Sequence, residues 1–170
     1  TTGHSSTALG YKALSASTSA VANTAVGYFS LAANTTGTNN VAVGYASGDA
    51  ITTGVSNTAI GSLSLSAATT ANSNTAVGKE AGTAITTGSD NVAMGSVSLT
   101  TNTTGASNTA IGRSALRYNT TASNNTALGY ASLSANTTGH SNVAVGKSSM
   151  ATSTTGLENV AVGMVTLDAN

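Results

Sequence analysis

Ionisable side chains are sparse in this chain, and their spacing keeps them apart. His4 and His140 could ligate a metal or carry protons, but they occupy the same place in a 17-residue period, eight periods apart. On rungs stacked at about 4.8 Å they stand roughly 38 Å from each other, too far for one site. The acids Asp49, Glu80, Asp90, Glu158 and Asp168 are scattered over four rungs and form no D-x-D cluster of the calcium-loop kind. Serine is abundant, yet no base and orienting group accompany it in the set that nucleophilic catalysis needs. There is no Cys, so thiolate metal sites and disulfides are excluded. The reading is a non-enzyme with no catalytic residue, no metal ligand set and no cofactor.

What remains is surface chemistry. Tyr11, Tyr28 and Tyr45 share one place on consecutive periods, and Lys79, Arg113 and Lys147 share that same place on alternate periods. The tyrosines are expected to form an offset stacked ladder and are the candidate glycan contact. The cations, held about 10 Å apart by one intervening rung, read as surface decoration. Sequons for N-glycosylation occur at Asn34, Asn102, Asn119, Asn124 and Asn136, where glycans could hydrate a rod with little charge of its own. The Thr-Thr pairs raise ice binding as another ligand, although adjacent residues of an extended pair point to opposite faces.

These residues are positioned by a tandem repeat. The glycine of an Ala-aliphatic-Gly tripeptide recurs at Gly10, Gly27, Gly44, Gly61, Gly78, Gly95, Gly112, Gly129, Gly146 and Gly163, always 17 apart and without insertion. A fixed period makes each copy one structural unit stacked on the next. Numbering the period from Asn23 as position 1, positions 2–5 read [T/V]-A-[V/I/L/M]-G. These are strand formers, with a glycine that disfavours a helix. Positions 8–11 read mostly [S/A]-L-x-A, and Thr-Thr-Gly closes the period at a turn. Two strands of about five residues and two turns predict one coil of a parallel β-solenoid. The whole chain, 1–170, is then a single all-β array of ten 17-residue coils, roughly 48 Å long.

The leucine column at position 9, with Met150 as its one methionine, breaks only at Gly48 and Gly82. In those two repeats alone position 12 becomes Ile, at Ile51 and Ile85. The paired change predicts that one shared interior is refilled from the neighbouring position. Positions 2 and 4 with this leucine are expected to fill that interior, so position 3 faces out. Position 3 is Ala in all ten copies. A column held to a methyl group reads as a place of close backbone approach. Ala25, Ala42, Ala59, Ala76, Ala93, Ala110, Ala127 and Ala144 are therefore the expected oligomer interface. The thin core supports the same expectation, because little apolar surface per coil offsets ordering entropy of about 1.5 kcal/mol per residue.

Composition excludes several partner classes. Charged residues are 6% and the net charge is zero, which leaves no basic surface for nucleic acid and no cationic face for a membrane. No apolar run is long enough to insert in a bilayer. Hydrophobic residues are 39% of the chain and stand in fixed columns, which argues against a disordered linker. The chain opens inside the Thr1-Thr2-Gly3 turn and closes at Asn170. That frame reads as an interior segment of a longer fibre whose coils continue end to end.

The N-[T/V]-A-[V/I]-G motif, repeated in register over all 170 residues, resembles the S-V-A-I-G head repeats of trimeric autotransporter adhesins, the YadA-like heads, and is similar to repeats of phage tail fibres. The resemblance implies a left-handed parallel β-roll and three chains around one axis. It implies an extracellular or cell-surface fibre that displays or spaces an adhesin, with a host receptor, matrix or glycan as partner. A virion tail-fibre shaft is the alternative. The Thr-Thr-Gly turn makes this period longer than the usual head repeat.

Overall fold

The computed structural model describes residues 3–168; Thr1, Thr2 and Asn170, on which the reading of the chain ends relies, lie outside the described residues. Each period makes one coil, and positions 2–4 of every coil form a three-residue strand, from β1 (Thr7–Leu9) to β10 (Val160–Val162). The strands make one ten-stranded parallel sheet in sequence order, pairing like position with like, as Ala25 does with Ala42 and Val26 with Val43. The expected parallel β-solenoid is therefore the architecture. No helix occurs among the described residues.

The coil has one short strand, not the two of about five residues expected. The return segment is instead built from left-handed residues at positions 7, 9 and 17, as at Phe29 (φ 57°), Leu31 (φ 49°) and Asn39 (φ 59°). Outside glycine such a conformation costs about 1–2 kcal/mol per residue. Here it turns the amides of positions 7 and 9 toward opposite neighbours. Phe29 N–H donates to the Tyr11 carbonyl of the preceding coil at 2.9 Å, and Leu31 N–H to the Ser47 carbonyl of the following coil at 3.1 Å. The buried backbone is satisfied in both directions without a second sheet.

The inside and outside of the strand are also the reverse of the expectation. Ala25, Ala42, Ala59, Ala76, Ala93, Ala110, Ala127 and Ala144 are fully buried, or nearly so, within the single chain, so they are not an oligomer interface. Position 3 is restricted to a methyl group because return segments of the same chain, its own and that of the preceding coil, close over it. Ser30 Oγ donates to the Ala42 carbonyl at 2.9 Å, Ser47 to Ala59 at 2.7 Å and Ser132 to Ala144 at 2.9 Å. Between strand and return lies the position-9 column, in which Leu31, Leu65, Leu99, Leu116 and Leu133 are completely buried. Positions 2 and 4 point outward, with Met94 41% and Leu128 44% exposed.

At position 5 the chain leaves the strand with φ between 128° and 137°. A Cβ on Gly112 would sit 2.5 Å from the Gly129 carbonyl oxygen of the next coil, so neither the conformation nor the space admits a side chain. Position 15 has no positive φ and is Ala at Ala20, Ala71 and Ala122, all buried.

The paired Gly–Ile change is a packing exchange. A Cβ on Gly48 would stand 3.0 Å from Ile51 Cδ1 and 3.3 Å from Leu31 Cδ2, and a Cβ on Gly82 would stand 3.0 Å from Ile85 Cδ1 and 3.1 Å from Leu65 Cδ2. Isoleucine at position 12 reaches the space beside the missing leucine. Where position 12 is Asn119 that exchange is closed, because its amide is bonded to Asn102 and to the Ala122 carbonyl. Ala68, buried and apolar, leaves it open. Leu65→Gly is expected to cost about 2–5 kcal/mol, and Ala68→Ile in the same chain to recover at least half of that. A thermal double-mutant cycle checks the coupling, and additive effects would refute the shared interior.

Candidate functional site

The interior holds two polar ladders that bind coil to coil. Position 1 is Asn in nine coils, from Asn23 to Asn159. It shares the inward side of the strand with Ala. From Asn23 to Asn142 each side-chain Nδ2 spans the coil to the position-15 carbonyl, as Asn57 does to Ala71 at 2.8 Å and Asn91 to Gly105 at 2.9 Å. Each Oδ1 accepts the backbone N–H of the next coil's asparagine, at 2.9 Å for Asn40 to Asn57 and 3.0 Å for Asn91 to Asn108. Most also accept that neighbour's Nδ2, at 3.1–3.2 Å. A second, shorter ladder runs through position 12, with Asn119 Nδ2 donating to Asn102 Oδ1 and Asn136 Nδ2 to Asn119 Oδ1, both at 2.9 Å. Asn34 stands outside it, between Ser17 and Ile51 in its column, and neither of its buried amide atoms has a hydrogen-bond partner.

Sequence reasoning used the position-1 asparagine as a marker of the period and gave it no role. The available signal was its parity. A polar residue two places before an always-alanine column has to face the same way as that column.

These ladders correct the glycosylation expectation. Asn34, Asn102, Asn119 and Asn136 are completely buried, so their side chains cannot carry a glycan in the folded coil. Asn124, at position 17, is exposed. The threonines divide in the same way. At position 13 each Oγ1 donates to the carbonyl of the same position in the next coil, as Thr35 does to Thr52 at 3.2 Å and Thr103 to Thr120 at 3.1 Å. Position 14 is the exposed partner, from Thr36 to Thr155. It makes a line of hydroxyls one residue wide.

On the outer surface the tyrosine ladder forms as expected. Tyr11 and Tyr28 stack with centroids 5.2 Å apart, and Tyr28 and Tyr45 at 5.5 Å with planes 2° apart. Phe29 packs tilted against Tyr28 at 4.6 Å, and Lys12 Nζ lies 5.2 Å from the Phe29 ring centre. Lys79 pairs with Glu80 at 3.3 Å, and the Arg113 guanidinium lies 5.8 Å from the Tyr130 ring. The histidines are not brought together: His140 contacts the Ser141 hydroxyl at 3.3 Å in its own coil. No cluster of three or more His, Cys, Asp or Glu able to hold a metal occurs among the described residues. A 260 Å³ cavity beside Met150, Ser153 and Leu167 is lined by no titratable group.

One acid is strained by its place. Asp49 follows Gly48, and its Oδ1 is buried without a partner. Burial pushes its carboxyl above the ordinary value of 3.8, opposed by hydrogen bonds from the Asp49 and Ala50 amides.

Compared with family patterns, characterised proteins and solved structures, the chain matches none.

Two outcomes follow for stability. A carboxyl whose pKa is raised by folding binds its proton more tightly in the folded state. Its contribution is therefore most favourable below 3.8 and is lost as pH rises through the folded value. Asp49→Ser, the residue at Ser66 and Ser134, is expected to raise the melting temperature at neutral pH and leave it unchanged below 3.8; an equal shift at both would refute the burial account. In the ladders, Asn119→Ala strands Asn102 Oδ1, leaves Asn136 Nδ2 with the Gly139 carbonyl alone, and is expected to cost about 1–3 kcal/mol. Asn34→Ala removes an unpartnered amide and is expected to cost at least about 1 kcal/mol less. Chemical denaturation distinguishes them, and equal costs would contradict the ladder.

Proposed function

We infer that this chain is a segment of a self-associating extracellular fibre, a structural and adhesive rod of the kind its repeat motif resembles. The observation that carries the reading is the outward face of the sheet. Positions 2 and 4 supply only Thr, Val, Ile, Leu and Met in all ten coils, with no charge anywhere on the face. Ten rungs of three residues give a band of roughly 48 by 10 Å, about 480 Å², apolar apart from the threonine hydroxyls at position 2 of six coils. That lies in the range of about 300–600 Å² in which the largest apolar patch of a monomer is often an interaction surface.

Two further points support a rod assembled from copies of itself. Like position pairs with like position on every rung, so one chain's face presents a row of Thr or Val beside a row of aliphatic residues at steps of about 4.8 Å, and a parallel copy meets it in register along its length. Three such faces turned toward a common axis bury the band without exposing it to water, the stoichiometry that the resemblance implies. The uninterrupted coils carry no inserted loop, and solenoids commonly place binding and catalytic elaborations on such loops. A spacer that displays or separates adhesive surfaces fits this plain construction, with the cell surface as its location.

The interface is tested on residues exposed in the single chain. Met94→Lys with Leu128→Lys places two charges on the band and leaves every buried position untouched. The wild-type chain is expected to sediment as an oligomer and the double variant as a folded monomer with the same β-sheet circular dichroism. A wild-type chain that sediments as a folded monomer would overturn the reading.

A further inference from the structure

The rod is neutral overall, but its charges are sorted. Of its five cations, Lys12, Lys79, Arg113 and Lys147 stand at positions 6 and 7, the edge reached just after the strand; Glu80 is the one acid there. Four cations less one acid leave that edge at +3. Arg117 less Asp49, Asp90, Glu158 and Asp168 leaves the remainder at −3. Five of the six aromatic residues lie on the same edge: Tyr11, Tyr28, Phe29, Tyr45 and Tyr130. The four tyrosines are about half exposed.

The edge also has a period. Lys79, Arg113 and Lys147 recur every second coil, about 10 Å apart. Ser96 and Tyr130 stand on the two coils between, so each gap holds a hydroxyl, and Ser62 stands on the coil before Lys79. Beyond Tyr45 the stacked ladder stops and the next coil carries only Ser62, which leaves the last ring without a stacking partner on that side.

We propose that this edge binds a linear acidic polysaccharide laid along the rod. The inference deepens the adhesive reading above, on which it rests, by naming the ligand class. Aromatic faces accept the C–H face of sugar rings, hydroxyls exchange hydrogen bonds with sugar hydroxyls, and Lys and Arg pair with carboxylate or sulfate. One cation for every two coils matches a polymer with one acidic group per extended disaccharide. Duplex DNA carries one charge per about 1.7 Å, several times denser than this edge can neutralise, and it offers no exposed ring to the tyrosines. The edge adjoins the apolar band but shares none of its positions.

The test titrates the intact chain with hyaluronan octasaccharide, with a neutral cello-oligosaccharide and with a short DNA duplex, each at low and high salt. Hyaluronan is expected to bind with an affinity that falls as salt rises, and to bind more tightly than either of the others. Arg113→Ser with Lys147→Ser, the residue already present at Ser62 and Ser96, is expected to weaken hyaluronan at least about tenfold. Tyr45→Ser is expected to weaken it by a factor that persists at high salt. Arg117→Ser, a cation off the edge, is expected to change nothing. No hyaluronan binding, equal loss in the Arg117 variant, or DNA bound as tightly would each overturn the proposal. Sedimentation of the same samples separates the two readings: an oligomer that ignores hyaluronan refutes the ligand alone, and a monomer that binds it refutes the fibre alone.

Discussion

Everything in this rod depends on a row of buried amides. A coil of 17 residues encloses too little apolar surface to fix its neighbours by packing alone, and strands of three residues supply few sheet hydrogen bonds. The position-1 asparagine adds what is missing. It bonds across its coil to the position-15 carbonyl and along the axis to the next asparagine's backbone. Buried amides that are fully paired reinforce one another, and an unpaired one is costly. The same amide therefore sets both coil diameter and coil register, since a slip of one residue would leave every rung unpaired. Amide ladders in stacked in-register strands stabilise cross-β assemblies by the same device.

The ladder explains features that otherwise look unrelated. A coil held this narrow leaves room for only a methyl group at position 3 and for one leucine at position 9. Loss of that leucine is met from position 12 within the same coil, as at Gly48 and Ile51. The position-5 glycines stack against one another's carbonyls because the strand must turn sharply beside the next coil. Left-handed residues in the return segment then let the chain bond both neighbours while following so tight a path.

The period, the parallel stacking, the Gly–Ile exchange and the tyrosine ladder were legible in the sequence, because each is a relation between like positions. The direction in which a column faces was not. Alternation in Thr24-Ala25-Val26 fixes that Ala opposes its neighbours, but not which side is the interior. The larger side chains made the wrong side look inward. What decides it is the return segment, whose left-handed positions are mostly filled by residues such as Phe29 and Leu31 and show a glycine only at Gly48 and Gly82. For the same reason the sequons at Asn102, Asn119 and Asn136 read as surface until the coil placed them inside.

The orientation of the strand is the central claim, since the ladder, the apolar band and the sorted edge all follow from it. Side-chain amide hydrogen exchange, resolved by NMR on a ¹⁵N-asparagine-labelled rod, reports it directly. With positions 1 and 3 of the strand inside, the Nδ2 protons of Asn74, Asn91 and Asn108 exchange slowly, and those of the exposed Asn39 and Asn124 at the rate of free amides. If Asn74, Asn91 and Asn108 exchange as fast as Asn39 and Asn124 while the backbone of the strands stays protected, the strand faces the other way and the account fails.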